Sequence, residues 1–322
     1  MSFALLRTHL RHWIAENQIV AVLVGLILGL VWPEHFAWLN RFSTPLLMAV
    51  FFTSSLRLSL PALLKYAKDW RMLLIANSFM LIVIPLALFV PLQFLSHDWA
   101  LSFLIAGVMP TGMTIALVAE FFGGTPPLAL LITVTTSLLA PFTIPFVFQV
   151  AIGQSIPIPV WGMMKSLLIS IVLPFIAAAV LQRKAPQLIQ KHDGGLRVVS
   201  VLLFGLLVTG ITADTSGASL PNLGWFDIGV IAIGTIWLGL ITRASYDLLP
   251  WRTKGERLTV ALCLVYLNNT LALFIADRYF RSYGAVSRAV ILLLVLNLLL
   301  LPIKAAAHSF LKAKRAPSSY AS

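Results

Sequence analysis

The chain alternates long apolar stretches with short polar ones, a pattern typical of membrane-spanning helices. Ten apolar runs of about 15 to 25 residues, each long enough to cross a bilayer as a helix, are centred on residues 25, 50, 82, 110, 138, 170, 205, 234, 267 and 295. We therefore expect an all-α polytopic membrane protein with ten transmembrane helices, preceded by a segment of residues 1–17 and followed by a tail of residues 307–322. An even number of spans places both termini on the same side of the membrane.

Two of these spans are interrupted near their centres. The apolar run 258–276 contains two consecutive carboxamides, and the run 99–122 contains a proline and two glycines. Consecutive residues point about 100° apart on a helix, so two adjacent Asn side chains rarely both find partners there, whereas a break in the helix supplies them. Discontinuous helices in corresponding positions of two halves indicate a transporter's binding site. The break residues expected to bind an ion or a solute are Pro110, Thr111, Gly112, Thr114, Asn268, Asn269 and Thr270.

Other polar residues lie close to the breaks in the sequence. Thr133 and Thr136 are three residues apart and share a face of the fifth span, so we add them to the binding site. The alternative for such hydroxyls is a bond to the carbonyl one turn earlier on their own helix. Glu120 and Asp277 each follow a break by nine residues, where a carboxylate either is solvated or acts as a gate or proton carrier.

The chain shows a weak internal repeat. Sliding the second half back by 156 residues lays 197–209 over 41–53 with an Arg, a Leu-Leu pair and a Thr in register, and a shift of 157 lays 268–277 over 111–120. Each unit holds five spans, an odd number, so the two copies have opposite orientations in the bilayer. We expect a 5+5 inverted repeat with units 18–152 and 159–306.

Composition and charge fit this interpretation. The 322 residues are 59% hydrophobic and 11% charged, with a mean hydropathy of +0.94. The net charge of +12 does not indicate nucleic-acid binding, because the basic residues fall in short loops between apolar runs. With the termini inside, eighteen of the twenty-three Lys and Arg residues lie on the inner side, as expected for a cell (inner) membrane protein with cytoplasmic termini. The connection 182–197 is then cytoplasmic and 214–225 is outside.

No catalytic, metal or cofactor site is indicated. Cys263 is the only cysteine, which excludes an internal disulfide, and its sequence neighbours are apolar. The six histidines lie at or beyond the ends of the apolar runs, which argues against a buried haem or zinc centre. Since no Ser/His/Asp, His/Glu or paired-carboxylate arrangement falls within the spans, we expect neither an enzyme nor a cofactor.

The two break motifs resemble those of the bile acid:sodium symporter family, and within it the SBF-like branch of inorganic-ion and solute transporters. The family's fourth-span break reads Pro-Gly-Gly followed by Ser-Asn, and Pro110-Thr111-Gly112 keeps that outline with Ile115-Ala116 in place of Ser-Asn. The ninth-span motif Gln-Asn-Ser-Gly-Leu-Ala aligns with 267–272 and keeps its Asn as Asn268. The likeness covers nearly the whole chain. It implies ten spans, broken helices 4 and 9 crossing at the membrane centre, a core of helices 3–5 and 8–10, and a panel of helices 1, 2, 6 and 7.

The chain departs from the family at the sodium ligands. The Glu that holds sodium in the ninth span falls on Cys263, or on Leu264 if the register slips by one, and the third-span Gln falls on Met80 ahead of Pro85. These residues cannot hold sodium as a carboxylate does. We therefore expect at most a weak sodium site, and bile-acid-like substrates do not carry over.

These features favour a secondary active transporter that moves a small solute by alternating access in a lipid bilayer. The coupling ion is left open between sodium and the proton. The half-helices that begin near Gly112 and Asn269 favour an organic or inorganic anion, because a helix N-terminus attracts negative charge. The alternative is a non-transporting membrane regulator or a passive ion pathway on the same scaffold. The sequence leaves the oligomeric state and the identity of the solute open.

Overall fold

A computed structural model of the chain describes residues 18–58, 66, 68–113, 115–215, 223–247, 249–296 and 298. The predicted N-terminal segment 1–17 and the tail 307–322 lie outside the described residues. The helices are α1 (Gln18–Val31), α2 (Ser43–Ser55), α3 (Trp70–Leu92), α4 (His97–Gly107), α5 (Ile115–Phe121), α6 (Pro126–Ile152), α7 (Val160–Lys184), α8 (Pro186–Lys191), α9 (Asp193–Thr215), α10 (Trp225–Ser245), α11 (Lys254–Val265), α12 (Asn269–Phe280) and α13 (Ala285–Leu296).

Five helices in the described part of the chain, α3, α6, α7, α9 and α10, are long and apolar enough to cross a membrane. The segments Leu23–Val31 and Pro33–Ser55 form a bent pair, at 110° to each other, that passes the same test together. The prediction of an all-helical, multi-pass membrane protein is therefore confirmed. The ten-span count and the inverted repeat stay predictions, because four of the expected half-spans are short helices on either side of the two breaks.

Two of the long helices widen into a π turn just before a proline. The turns are Phe79–Val83 in α3, ahead of Pro85, and Leu168–Val172 in α7, ahead of Pro174. Proline has no N–H to give to the carbonyl four residues earlier, which disrupts the regular ladder. The residue before each proline donates instead to the carbonyl five residues back, as Ile84 does to Phe79. Met80 lies within the first of these π turns and is fully buried.

Helices α1, α2 and α9 pack closely enough to form one unit, here called the α9 cluster. Glycines allow the approach. A Cβ on Gly25 of α1 would lie 2.7 Å from the carbonyl oxygen of Gly205 on α9, and one on Gly210 would lie 2.9 Å from the Cβ of Leu39. Larger residues at these positions would force the helices apart, so the glycines fix the contact between α9 and its neighbours.

Helices α3 to α6 and α10 to α12 form a second unit, here called the crossing cluster. The indole N–H of Trp237 on α10 donates to the carbonyl of Ala87 on α3 at 2.8 Å. The indole of Trp99, 1% exposed, donates to Asp227 at 2.8 Å and joins α4 to α10. These bonds tie α10 to α3 and to α4, the helix that leads into the first break.

Candidate functional site

Both breaks occur where the sequence predicts them. Helix α4 ends at Gly107 and α5 begins at Ile115, while α11 ends at Val265 and α12 begins at Asn269. The two connecting segments run antiparallel and pair with each other around the Thr111–Leu267 bridge. No sequence argument had placed these two segments in direct backbone contact.

Two backbone hydrogen bonds close this pairing. The N–H of Gly112 donates to the carbonyl of Tyr266 at 2.7 Å, and the N–H of Asn268 donates to the carbonyl of Pro110 at 2.8 Å. A helix break leaves backbone groups without partners, and each such group is costly to bury in an apolar interior. Here each break supplies partners for the other, so neither can be stable in this conformation alone.

Gly112 is needed for this close approach. A Cβ at this position would lie 2.8 Å from both Cδ1 and Cε1 of the Tyr266 ring and 3.3 Å from the carbonyl oxygen of Leu267. Those distances to the ring are shorter than real Cβ contacts, so only glycine lets the two segments meet without displacing the tyrosine. Tyr266 was not among the residues singled out from the sequence, and its place two residues before the Asn pair is the signal that could have identified it.

Asn268 and Asn269 have different surroundings. The Oδ1 atom of Asn268, a residue 6% exposed, accepts a hydrogen bond from the backbone N–H of Leu271 at 3.1 Å and so caps the N-terminus of α12. Asn269 is half-buried, and its side chain makes no hydrogen bond to the residues that the structure describes. The carboxamide committed to the fold is therefore that of Asn268, and the one available to a ligand is that of Asn269.

Thr111 lies at the centre of the crossing and is fully buried. Its hydroxyl donates to the sulfur of Met80 at 3.0 Å and lies 3.5 Å from the carbonyl oxygen of Cys263. Its backbone N–H donates to the hydroxyl of Thr136 on α6 at 3.4 Å. The structure thus brings Met80 and Cys263, the positions where the family has its Gln and Glu, to the same threonine.

The fifth-span hydroxyls make the local bonds that were the alternative for them. Thr133 donates to the carbonyl of Ala129 at 2.9 Å, and Thr136 donates to the carbonyl of Ile132 at 2.7 Å. Thr136 nevertheless joins the crossing, because its oxygen also accepts from Thr111. Thr133 is 1% exposed and Thr270 is 7% exposed, while Thr114 lies outside the described residues.

The two carboxylates that follow the breaks are not alike. Glu120 is exposed. Asp277 is buried on α12 and forms an ion pair with Arg281 one turn later, and Arg281 also pairs with Asp214 at the end of α9. Burial lowers the pKa of Arg281, but its bonds to Asp214 and Asp277 outweigh burial, and the pKa lies above its ordinary value.

The donor groups at the crossing are hydroxyls, carboxamides and backbone carbonyls. Neither break contains a charged side chain. Among the described residues, no three His, Cys, Asp or Glu side chains lie close enough together to hold a metal ion. The arrangement can bind a small solute through hydrogen bonds and the positive end of α12, and it offers no carboxylate to a cation.

A family model matches residues 17–312, nearly the whole chain. The protein belongs to the SBF-like CPA transporter family. This confirms the resemblance drawn from the break motifs, and it makes the protein a transporter rather than an enzyme.

Two proteins of Bacillus subtilis (strain 168) are similar to the chain. The uncharacterized sodium-dependent transporter YocS is 22% identical over 205 residues, which is 63% of this chain and 64% of that protein. The uncharacterized protein YbaS is 32% identical over 84 residues, 26% of this chain and 28% of that protein. The aligned segments therefore span less than two thirds of either relative, so the particular activity of neither passes directly to this chain.

Proposed function

We propose that the protein is a secondary active transporter that binds a small solute where its two broken helices meet and moves it by alternating access. The observation that carries this proposal is the mutual pairing of the breaks, through the bonds from Gly112 to Tyr266 and from Asn268 to Pro110. Discontinuous helices place half-helix ends and unpaired backbone next to a central site, which is how many secondary transporters bind their solutes.

The proposed site is formed by the break residues and two hydroxyls of α6. Its members are Pro110, Thr111, Gly112, Thr114, Thr133, Thr136, Asn268, Asn269 and Thr270. Helix α12 points its N-terminus into the crossing, and the Asn269 side chain beside it is half-buried. A small organic or inorganic anion suits this end, because the N-terminus of a helix carries a partial positive charge.

Sodium coupling is the weaker of the two options for the driving ion. The similarity to YocS, whose name calls it sodium-dependent, favours sodium. The residues beside Thr111 weigh against sodium, because its hydroxyl is bonded to a methionine sulfur and a backbone carbonyl and lies beside no carboxylate. A cation buried at the crossing would lack a compensating carboxylate, which makes its desolvation costly. We therefore propose at most a weak sodium site.

Ten spans in two inverted units, with both termini cytoplasmic, remain our proposal for the topology. Exposed tryptophans support it, since Trp is enriched at both membrane surfaces. Trp161 and Trp225, 77% and 89% exposed, lie at the start of α7 and α10, which this topology places outside. Trp70 and Trp251, 64% and 59% exposed, lie at connections that it places inside.

Motion in this proposal occurs between a core and a panel. The crossing cluster, together with α13, corresponds to the core of spans 3–5 and 8–10 and contains both breaks. Helices α1, α2 and α9 of the α9 cluster correspond to spans 1, 2 and 7, which make up most of the panel of spans 1, 2, 6 and 7. Because each cluster is tied internally by close glycine contacts or tryptophan hydrogen bonds, a displacement of one against the other leaves both intact.

Counterflow in proteoliposomes tests the function. Purified protein is first screened for thermal stabilisation by phosphate, sulfate, small carboxylates and divalent cations, each with sodium or choline as the counter-ion. A stabilising compound is then loaded inside vesicles and supplied outside as a labelled trace. We expect transient accumulation of label that saturates with concentration, as for a carrier. Leakage of label without accumulation, or no movement at all, would instead identify a passive pathway or a regulator.

A further inference from the structure

Arg281 connects the second broken helix to the α9 cluster. It follows directly on α12 and pairs with Asp277 on its own helix and with Asp214 near the end of α9. The same carboxylate oxygen of Asp214 also accepts a hydrogen bond from the side-chain amide of Asn40, in the turn that precedes α2, at 2.8 Å. The guanidinium therefore bridges a carboxylate from each cluster.

The other ion pairs between described residues stay within one cluster or join it to α13. Arg57 pairs with Asp193 and links α2 to α9, while Arg197 pairs with Asp193 within α9, so both pairs stay inside the α9 cluster. Arg288 pairs with Asp98 and ties α13 to α4. In the described part of the chain, the Arg281–Asp214 pair is thus the ionic contact that joins the two clusters.

This contact lies at one end of the molecule. The ring of Phe280, next to Arg281, stacks on that of Phe148 near the end of α6, with centroids 4.9 Å apart. The connection from α6 to α7 that carries Ser155 therefore lies at the same end. Arg57 and Asp193 lie at the opposite ends of α2 and α9, where the described residues contain no ion pair between the clusters.

We propose that Arg281 is a latch that holds the two clusters together at the outer end, and that it opens when the crossing is exposed to that side. This inference rests on the proposed function, because it assumes a transport cycle in which the outer side of the site is closed at one stage. Arg281 and Asp214 are 42% and 35% exposed in their side chains, so water can replace their bond. Arg281 keeps Asp277 when the latch opens, because both belong to α12 and its following turn. The buried carboxylate thus never loses its partner.

Labelling of a cysteine at the crossing tests the latch. The reporter is Asn269→Cys, treated with an impermeant maleimide from the side that modifies Ser155→Cys. We expect Asp214→Asn to raise the labelling rate of the reporter at least threefold. The matched change Asp193→Asn removes a carboxylate that pairs inside one cluster, and it should leave the rate unchanged. Native Cys263 is fully buried and serves as the unlabelled background.

An unchanged labelling rate with Asp214→Asn overturns the latch, and so does a reporter that is already labelled at its full rate with the latch intact.

Cross-linking gives a second measurement. Asp214→Cys with Arg281→Cys, joined by a short bifunctional thiol reagent, should abolish counterflow until the link is reduced. Arg57→Cys with Asp193→Cys should tolerate the same link. Counterflow that persists through the first link contradicts the latch and leaves the transporter proposal intact, whereas absence of counterflow in the unmodified protein contradicts the transporter alone.

Discussion

Substitutions of Asn268 can separate its role as a helix cap from a role in solute binding. In Asn268→Leu the backbone N–H of Leu271, a residue fully buried, loses the oxygen that accepts its bond. Loss of an N-cap costs about 1 kcal/mol, and a buried donor left without a partner costs roughly 1 to 3 kcal/mol. We therefore expect Asn268→Leu to lower the free energy of unfolding by about 1 to 3 kcal/mol.

Serine is the informative substitution, because it caps helices about as well as asparagine and carries no carboxamide. Asn268→Ser should retain the stability of the parent protein to within about 0.5 kcal/mol. If the amide group of Asn268 also contacts the solute, this stable variant should still lose counterflow. Asn269→Leu is the matched control, with the same change in size and polarity at the neighbouring position. The Asn269 side chain caps no helix, so we expect stability to hold while solute binding falls.

Thermal unfolding in detergent and counterflow in vesicles are measured on all three variants. A change of 1 kcal/mol shifts the melting temperature of a domain of about this size by roughly 2 to 4 °C, which is readily resolved. An Asn268→Leu protein as stable as its parent would refute the cap. An Asn268→Ser protein with full counterflow would remove Asn268 from the binding site, and a large loss of stability in Asn269→Leu would show that we have assigned the two carboxamides wrongly.

Three further outcomes are expected. Gly112→Ala should destabilise the protein by about 1 to 3 kcal/mol in thermal unfolding, because the new methyl group meets the ring of Tyr266. Gly195→Ala, with open space around it, should leave the stability unchanged, and equal stability of the two variants would contradict the close packing of the breaks. Calorimetry should give a sodium dissociation constant in the millimolar range or above, and a micromolar value would disprove the weak site. In intact cells, an impermeant maleimide should label Ser155→Cys and spare Gly195→Cys and the buried Cys263; the reverse pattern inverts the topology.

The breaks themselves could be predicted because their causes are local. A proline with two glycines disfavours a regular helix locally, and two adjacent asparagines on a helix point about 100° apart and rarely both find partners. The bonds of Thr133 and Thr136 to carbonyls of their own helix are likewise local, and they follow from residue type and spacing. The apolar runs alone predicted that the chain spans a membrane, and the family model and the long apolar helices agree with this prediction.

Tertiary contacts decided what the sequence could not. Glu120 and Asp277 occupy equivalent places in the repeat, yet one is exposed and the other is buried beside Arg281, because only the second unit supplies an Arg one turn later. The partner of Arg281 on α9 comes from a distant part of the chain. The roles of Asn268 and Asn269 depended on the residue at which α12 begins, and helix boundaries are the least reliable part of any pattern-based prediction.

The positions of the charged residues limit which solutes can bind where the two broken helices meet. By the family resemblance, the position of the sodium-binding carboxylate falls on Cys263, or on Leu264 if the register slips by one, and the hydroxyl of Thr111 beside Cys263 donates to the sulfur of Met80. A cation at that depth would need a negative partner to offset its desolvation, and neither break provides one. An anion at the start of α12 needs no such partner, because the N-terminus of the helix carries a partial positive charge. The charged groups that join the two clusters lie at the end of α12 rather than at its start, so in our proposal they bear on the closing of the site and not on the solute itself.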